Sequence, residues 1–423
     1  MRLPSRAELR TSLGLVILAG AISCGSSAGP GTGTEARSNL GRITTPVVSA
    51  DDTLALAAGN RAFAVDLHQA LRSRPGNLVY APASISIAIA MLYGGANGAT
   101  ASEIAQALHF GLPPERLHLA FDALDLALTT PPAGASAFRL SIANAAWGQR
   151  DYHFLPAYLD LLAQDYGSSM RLVDFHAPET ARAQINQWVS DNTQHQIPDL
   201  IPTGAIDPDT RLVLTNAVYF KADWQMPFAK DSPDGIFHAP AGDVTVKMMH
   251  GPEAIWLWGG TGFSAAALPY AGETTSMILI VPDAGTFDAF EQGLTGDSLG
   301  AVLAGQSAAT LGGLSMPRFK FETKTDLVET LDALGMKQAF VPSVADLSGI
   351  DGTHDLYVSD VIHQATIAVD EKGTEAAAAT AVIIGRASVV LTSLTVDRPF
   401  LFLIRDDATG AILFQGRVLD PTK

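Results

Sequence analysis

Apolar residues recur at helical spacing over residues 53–71, where Phe63, Leu67 and Leu71 fall on one face. Residues 82–93 are almost wholly apolar and start with Pro82, a residue favoured in the first turn of a helix. Thr100 and Glu103 have capping-box spacing ahead of Ile104 and Leu108. Ile185, Trp188 and Val189 mark a further amphipathic helix, and residues 326–334 read as a helix closed by Gly335. Unbroken apolar runs at 212–220, 277–281 and 400–404 predict strands buried on both faces. Residues 361–369 and 412–418 also read as strands, with a hairpin turn at 406–410. Helical and strand patterns interleave from Asp51 onward without a repeat or a composition break. The expected fold is therefore one mixed α+β domain.

One segment breaks the pattern. Residues 373–381 are small and alanine-rich, a composition that favours helix. Yet they lie between the strand at 361–369 and a second apolar stretch at 382–391. A long loop of small residues inside a compact domain is uncommon and often functional.

The chain has 423 residues, of which 47% are hydrophobic and 17% charged, enough to build a large core. Its formal net charge of -16 argues against nucleic acid, anionic membranes and heparin-like polyanions as partners. Arg2, Arg6 and Arg10 precede an apolar run at 13–22, too short to span a bilayer and suited to a signal peptide. Ala21-Ile22-Ser23 before Cys24 resembles a lipobox, in which residues 1–23 are removed and lipid is attached to Cys24. Plain secretion with cleavage nearby is the alternative. Cys24 is the only cysteine, so the folded domain holds no disulfide. Residues 24–50, rich in Gly, Ser and Thr, read as a flexible tether to a domain at 51–423. The expected location is extracytoplasmic, either secreted or lipid-anchored at the cell envelope, with membrane contact only through Cys24.

Gly296-Asp297-Ser298-Leu299-Gly300 satisfies the nucleophile elbow of serine hydrolases, which would need a later acid and histidine such as Asp360 and His363. That elbow follows a strand, whereas residues 287–294 look helical. The ten histidines show no metal-ligand spacing, and neither a P-loop nor a dinucleotide fingerprint occurs, so no cofactor is expected. His109 and His118 read as surface residues.

Residues 371–378 resemble the hinge of inhibitory serpins. Further segments resemble that family in the same order: 77–85, 214–224, Pro317-Arg318-Phe319-Lys320, Leu334-Gly335-Met336, 345–350, 398–404 and 409–418. The resemblance covers roughly residues 51–423. It implies the serpin fold, a mixed multi-sheet core surrounded by helices and carrying an exposed reactive-centre loop. It also implies a monomeric inhibitor of serine proteases, not an enzyme. Such an inhibitor is a suicide substrate that traps the acyl-enzyme by inserting its cleaved loop into the main β-sheet. Serpin loop insertion is itself a standing example of strand addition.

The same resemblance assigns residues. The hinge comprises Glu371, Gly373, Thr374, Glu375, Ala376, Ala377, Ala378 and Ala379, with Gly373 supplying dihedral freedom. Counting Glu371 as first, the family's usual seventeenth position selects Ala387-Ser388, which suits elastase- or subtilisin-like proteases. A loop one residue shorter selects Arg386-Ala387 and trypsin-like enzymes; cysteine proteases are a further target class. Ser84, Asn216 and His363 match a polar cluster that controls sheet opening. Ala81 stands where the family usually has serine, which predicts a reduced cluster. Trp224 matches an aromatic where the loop enters the sheet, and Arg318 an ion-pair partner of Glu371. With Glu375 facing solvent, strand parity turns Thr374, Ala376, Ala378 and Thr380 toward the core. A non-inhibitory serpin acting as a binding protein is the alternative, and the alanine-rich hinge argues against it.

Overall fold

The apolar run at 212–220 lies at the centre of a seven-stranded sheet. The structure, a computed structural model, describes residues 34–129, 139–251, 254–374 and 392–423. Across the sheet the order is Thr34–Ala36, Met170–Val173, Arg139–Gln149, Leu212–Asp223, Gly373–Thr374, Asp360–Val369 and Phe319–Asp326. Alternate residues of Leu212–Asp223 serve two cores, as strand geometry requires. Leu214, Val218, Phe220 and Ala222 face the main core. Val213 and Ala217 face a second core, where helix Pro178–Asn192 contributes Ala181, Ile185 and Val189.

A ten-stranded sheet shares the main core and contains Thr275–Pro282, Phe400–Asp406 and Ile412–Val418 in antiparallel succession. Helix Pro82–Tyr93, apolar on nearly every side, is buried between the layers. Helix Ala50–Leu71 starts where Ser49 accepts a hydrogen bond from the Asp52 amide at 3.1 Å. The α+β architecture is thus present, with the expected helices and buried strands.

Three local expectations fail for physical reasons. Thr100 and Glu103 do not cap a helix but lie inside Gly98–Ala107. Thr100 is buried and accepts from the Asp346 amide at 2.9 Å, and Glu103 accepts from the amides of Lys337 and Gln338. His118 is not on the surface. It is buried, with Nδ1 2.7 Å from the Tyr166 hydroxyl, and burial lowers its pKa to about 4. His109 does remain at the surface, 2.6 Å from an Asp66 oxygen.

The third correction concerns the tether. Its described part, from Thr34, is docked on the domain. Thr34–Ala36 pairs antiparallel with Met170–Leu172 at the sheet edge, and Glu35 takes an ion pair from Arg171 at 2.7 Å. The chain then crosses to two helices. The Ile43 amide donates to the Gln164 carbonyl at 2.9 Å, and Arg42 bonds Asp122 at 2.9 Å and Asp125 at 2.7 Å. Gly167, at φ +57°, makes room for Arg42, because a Cβ there would lie 2.7 Å from its Cδ. Small polar residues read as slack in a composition count; here paired backbone and charged side chains fix them.

Candidate functional site

Leu212–Asp223 and Asp360–Val369 run parallel. They pair from Val213 opposite Asp360 to Val218 opposite Ala365. Beyond that point Gly373–Thr374 lies between them, antiparallel to both, with Gly373 opposite Asp223 and Thr374 opposite Ala222 and Val369. The two long strands are zipped at one end and held apart at the other by two residues.

The mouth of this slot is heavily bonded. The Asp370 amide donates to the Gly373 carbonyl at 3.0 Å, closing a tight turn. The Trp224 amide donates to the Lys372 carbonyl at 2.7 Å, and its indole Nε1 donates to the Asp370 carbonyl at 2.9 Å. The Phe228 amide donates to the Glu371 carbonyl at 2.8 Å. Arg318 Nε donates to Glu371 Oε1 at 2.6 Å, and the Ser232 hydroxyl donates to the same oxygen. Burial works to raise the Glu371 carboxyl, but the bonds from Ser232 and Arg318 outweigh it and hold the group below its ordinary value. Trp224, Arg318 and Glu371 are therefore brought together around the hinge.

Thr374 is 1% exposed, and its Oγ1 lies 2.7 Å from the Tyr270 hydroxyl. Tyr270 stacks on Trp224 at 4.5 Å and 14°. The seated conformation gives Gly373 a steric reason of its own. Its φ lies outside the left-handed region, but a Cβ would meet the Ala222 carbonyl oxygen at 2.1 Å. Close approach of two backbones excludes a side chain here.

Beneath the zipped half runs a row of polar side chains. Asn144, Asn216 and His363 are in register on three adjacent strands. Asn216 Nδ2 donates to Ser84 Oγ at 2.7 Å and to Asn144 Oδ1 at 2.6 Å. Asn144 Nδ2 donates to the Ser84 carbonyl at 3.1 Å. His363 Nε2 accepts from the Ala81 amide at 3.3 Å, so Nδ1 carries the proton and donates to Asn216 Oδ1 at 2.6 Å. Burial lowers the His363 pKa to about 3 and keeps the ring neutral. Ala81 contributes no side-chain group to the row and joins it through its backbone amide. Asn144 was not singled out from the sequence. Its signal was parity: it shares a strand face with Ile142 and Ala146, on the side of the main core.

The hydrolase arrangement does not form. Ser298 is the third residue of helix Gly296–Ala304, in a capping box with Thr295, and the preceding element is helix Phe287–Gln292. His363 is committed to the polar row. Cys24, Glu375, Ala376, Ala377, Ala378, Ala379, Thr380, Arg386, Ala387 and Ser388 lie outside the described residues.

These features define an α+β protein whose central sheet already holds the start of an extra strand between two parallel ones. The serpin (serine protease inhibitor) family model matches residues 58–421. An uncharacterized serpin-like protein of Thermococcus kodakarensis is 38% identical over 365 residues, covering 85% of this chain and 84% of its own. The human leukocyte elastase inhibitor is 37% identical over 380 residues, covering 86% of this chain and 99% of its own. Tengpin, a thermophilic serpin solved in its native state, matches with a TM-score of 0.81 at 26% identity, covering 92% of this chain and 100% of that one. The chain belongs to the serpin family.

Proposed function

We propose that this serpin inhibits serine proteases as a suicide substrate, and that its loop is cut at Ala387-Ser388 or Arg386-Ala387. The protease serine attacks the bait bond and forms an acyl-enzyme. The freed loop then inserts between Leu212–Asp223 and Asp360–Val369 before water releases the enzyme. The observation that carries this reading is the position of Gly373–Thr374, antiparallel to both strands at the slot mouth.

That pairing also sets a register. Each residue further along the loop meets one residue further back on Leu212–Asp223, starting from Thr374 opposite Ala222. Continued inward on insertion, the register would put Thr380 opposite Asn216 and Ile384 opposite Leu212, where the strand ends. Insertion would part Asn216 from His363, and the Thr380 hydroxyl would take over the bond they lose. Ala376 and Ala378 would pass the faces of Phe220 and Val218, where small side chains avoid overpacking. The targets are elastase-, subtilisin- or trypsin-like proteases, met outside the cytoplasm by a secreted monomer or one anchored through lipid on Cys24.

The test is thermal unfolding of the intact and loop-cleaved protein. Ten or so new strand residues at about 0.5–1.5 kcal/mol each give on the order of 10 kcal/mol. The cleaved form should therefore unfold at least ~10 °C higher. An unchanged midpoint after complete cleavage would mean that the loop stays outside the sheet.

A further inference from the structure

Tyr270 follows the strand Phe263–Pro269 and forms an isolated bridge with Trp224. Its ring is fully buried, stacked on Trp224 and edge-on to Phe220 at 5.0 Å and 76°. A buried phenol needs a hydrogen-bond partner, and Thr374 Oγ1 is in place for it. Thr374 is the second and last residue of the seated strand Gly373–Thr374.

We infer that Tyr270 is a positioning residue for loop insertion: its hydroxyl latches Thr374 into the sheet of the uncleaved protein, so that insertion extends from a seated residue. The inference rests on the mechanism proposed above. Several contacts make the latch rigid. The Tyr270 amide donates to the Thr275 carbonyl at 2.9 Å, and its ring is held edge-on to Phe220 and stacked on Trp224, none of them part of the hinge. The hydroxyl therefore stays where Thr374 must sit and does not follow a departing hinge. Gly373 packs directly against the Ala222 carbonyl, so the hinge has only a shallow seat of its own and Thr374 is the first residue with a side chain to grip. Inhibition is a race between insertion and deacylation. Pairing the first residue between two strands is its unfavourable opening step, just as the first turn of a helix is harder to form than the next. A hinge seated in advance has that step behind it when the bond is cut.

Hydrogen–deuterium exchange on the uncleaved full chain tests this, comparing wild type, Tyr270→Phe, Thr374→Val and the double variant. Exchange in a peptide spanning residues 370–376 should quicken about five- to tenfold in either single variant, and no further in the double. Exchange across 212–218 should match wild type. Titration of each protein against elastase, subtilisin and trypsin should show the amount of inhibitor consumed per enzyme rising about twofold or more, with the acylation rate unchanged. Hinge exchange unchanged in both single variants overturns the latch. Faster exchange with unchanged consumption overturns its role in insertion. If wild type forms no complex with any of the three proteases, the inhibitory mechanism fails instead, and the exchange comparison alone decides the latch.

Discussion

At His363 two hydrogen bonds leave one proton position open, and burial keeps the ring neutral down to about pH 3. The fold therefore favours the neutral ring. Its contribution to stability is full above the unfolded value near 6.5 and is lost as pH falls toward the folded value. Asp360, three residues earlier on the same strand, has the opposite sign. Burial, together with Asp326 and Asp207, raises its pKa from 3.8 to about 6. The fold disfavours its anion, so it costs stability above pH 6, and that cost fades as pH falls toward 4. Asp360→Asn should thus raise the unfolding midpoint by a few degrees at pH 8 and leave it unchanged near pH 4. A midpoint that moves equally at both pH values would mean that charge is not the cause. Ser84, Asn216 and His363 could be named from the sequence because they sit in recognisable segments. Asn144, Tyr270 and the Ala81 amide could not, because their roles depend on which strands become neighbours. At Gly373 the fold adds a requirement that the sequence does not show, a carbonyl where a side chain would go.

Long periodic elements were legible, and segments held by partners far along the chain were not. Helix Pro82–Tyr93 and strand Leu212–Asp223 announce themselves through apolar runs that no exposed element could carry. The segment at 34–48 has no such signal. It is fixed by a backbone ladder to Met170–Leu172 and by Arg42, whose partners are 80 and 83 residues away. It ties the edge of the central sheet to helices Pro114–Thr129 and Pro156–Tyr166. Arg42→Ala leaves the Asp122 carboxyl, already pushed up by burial, without its counter-charge. The expected loss is about 2 kcal/mol, reduced from the fully buried case because Arg42 is partly exposed. Chemical denaturation would measure it. A loss below about 0.5 kcal/mol would assign the docking of this segment to its strand pairing alone.

For the whole molecule, the uncleaved sheet is an unfinished structure. Its two central strands pair over six residues, and the seated hinge holds their other ends apart. On the proposed mechanism, filling the slot would yield on the order of a whole domain's stability, enough for a single cut to drive a large displacement. That account stands or falls on whether the cut loop traps the enzyme that cuts it. The direct measurement is to mix the mature protein with elastase, subtilisin and trypsin separately, run denaturing gels, and weigh the released C-terminal peptide. A complex that survives denaturant, with a peptide beginning at Ser388 or Ala387, is the expected result. Complete cleavage in the loop with no complex from any of the three enzymes would contradict the trapping mechanism and leave a serpin that binds rather than inhibits.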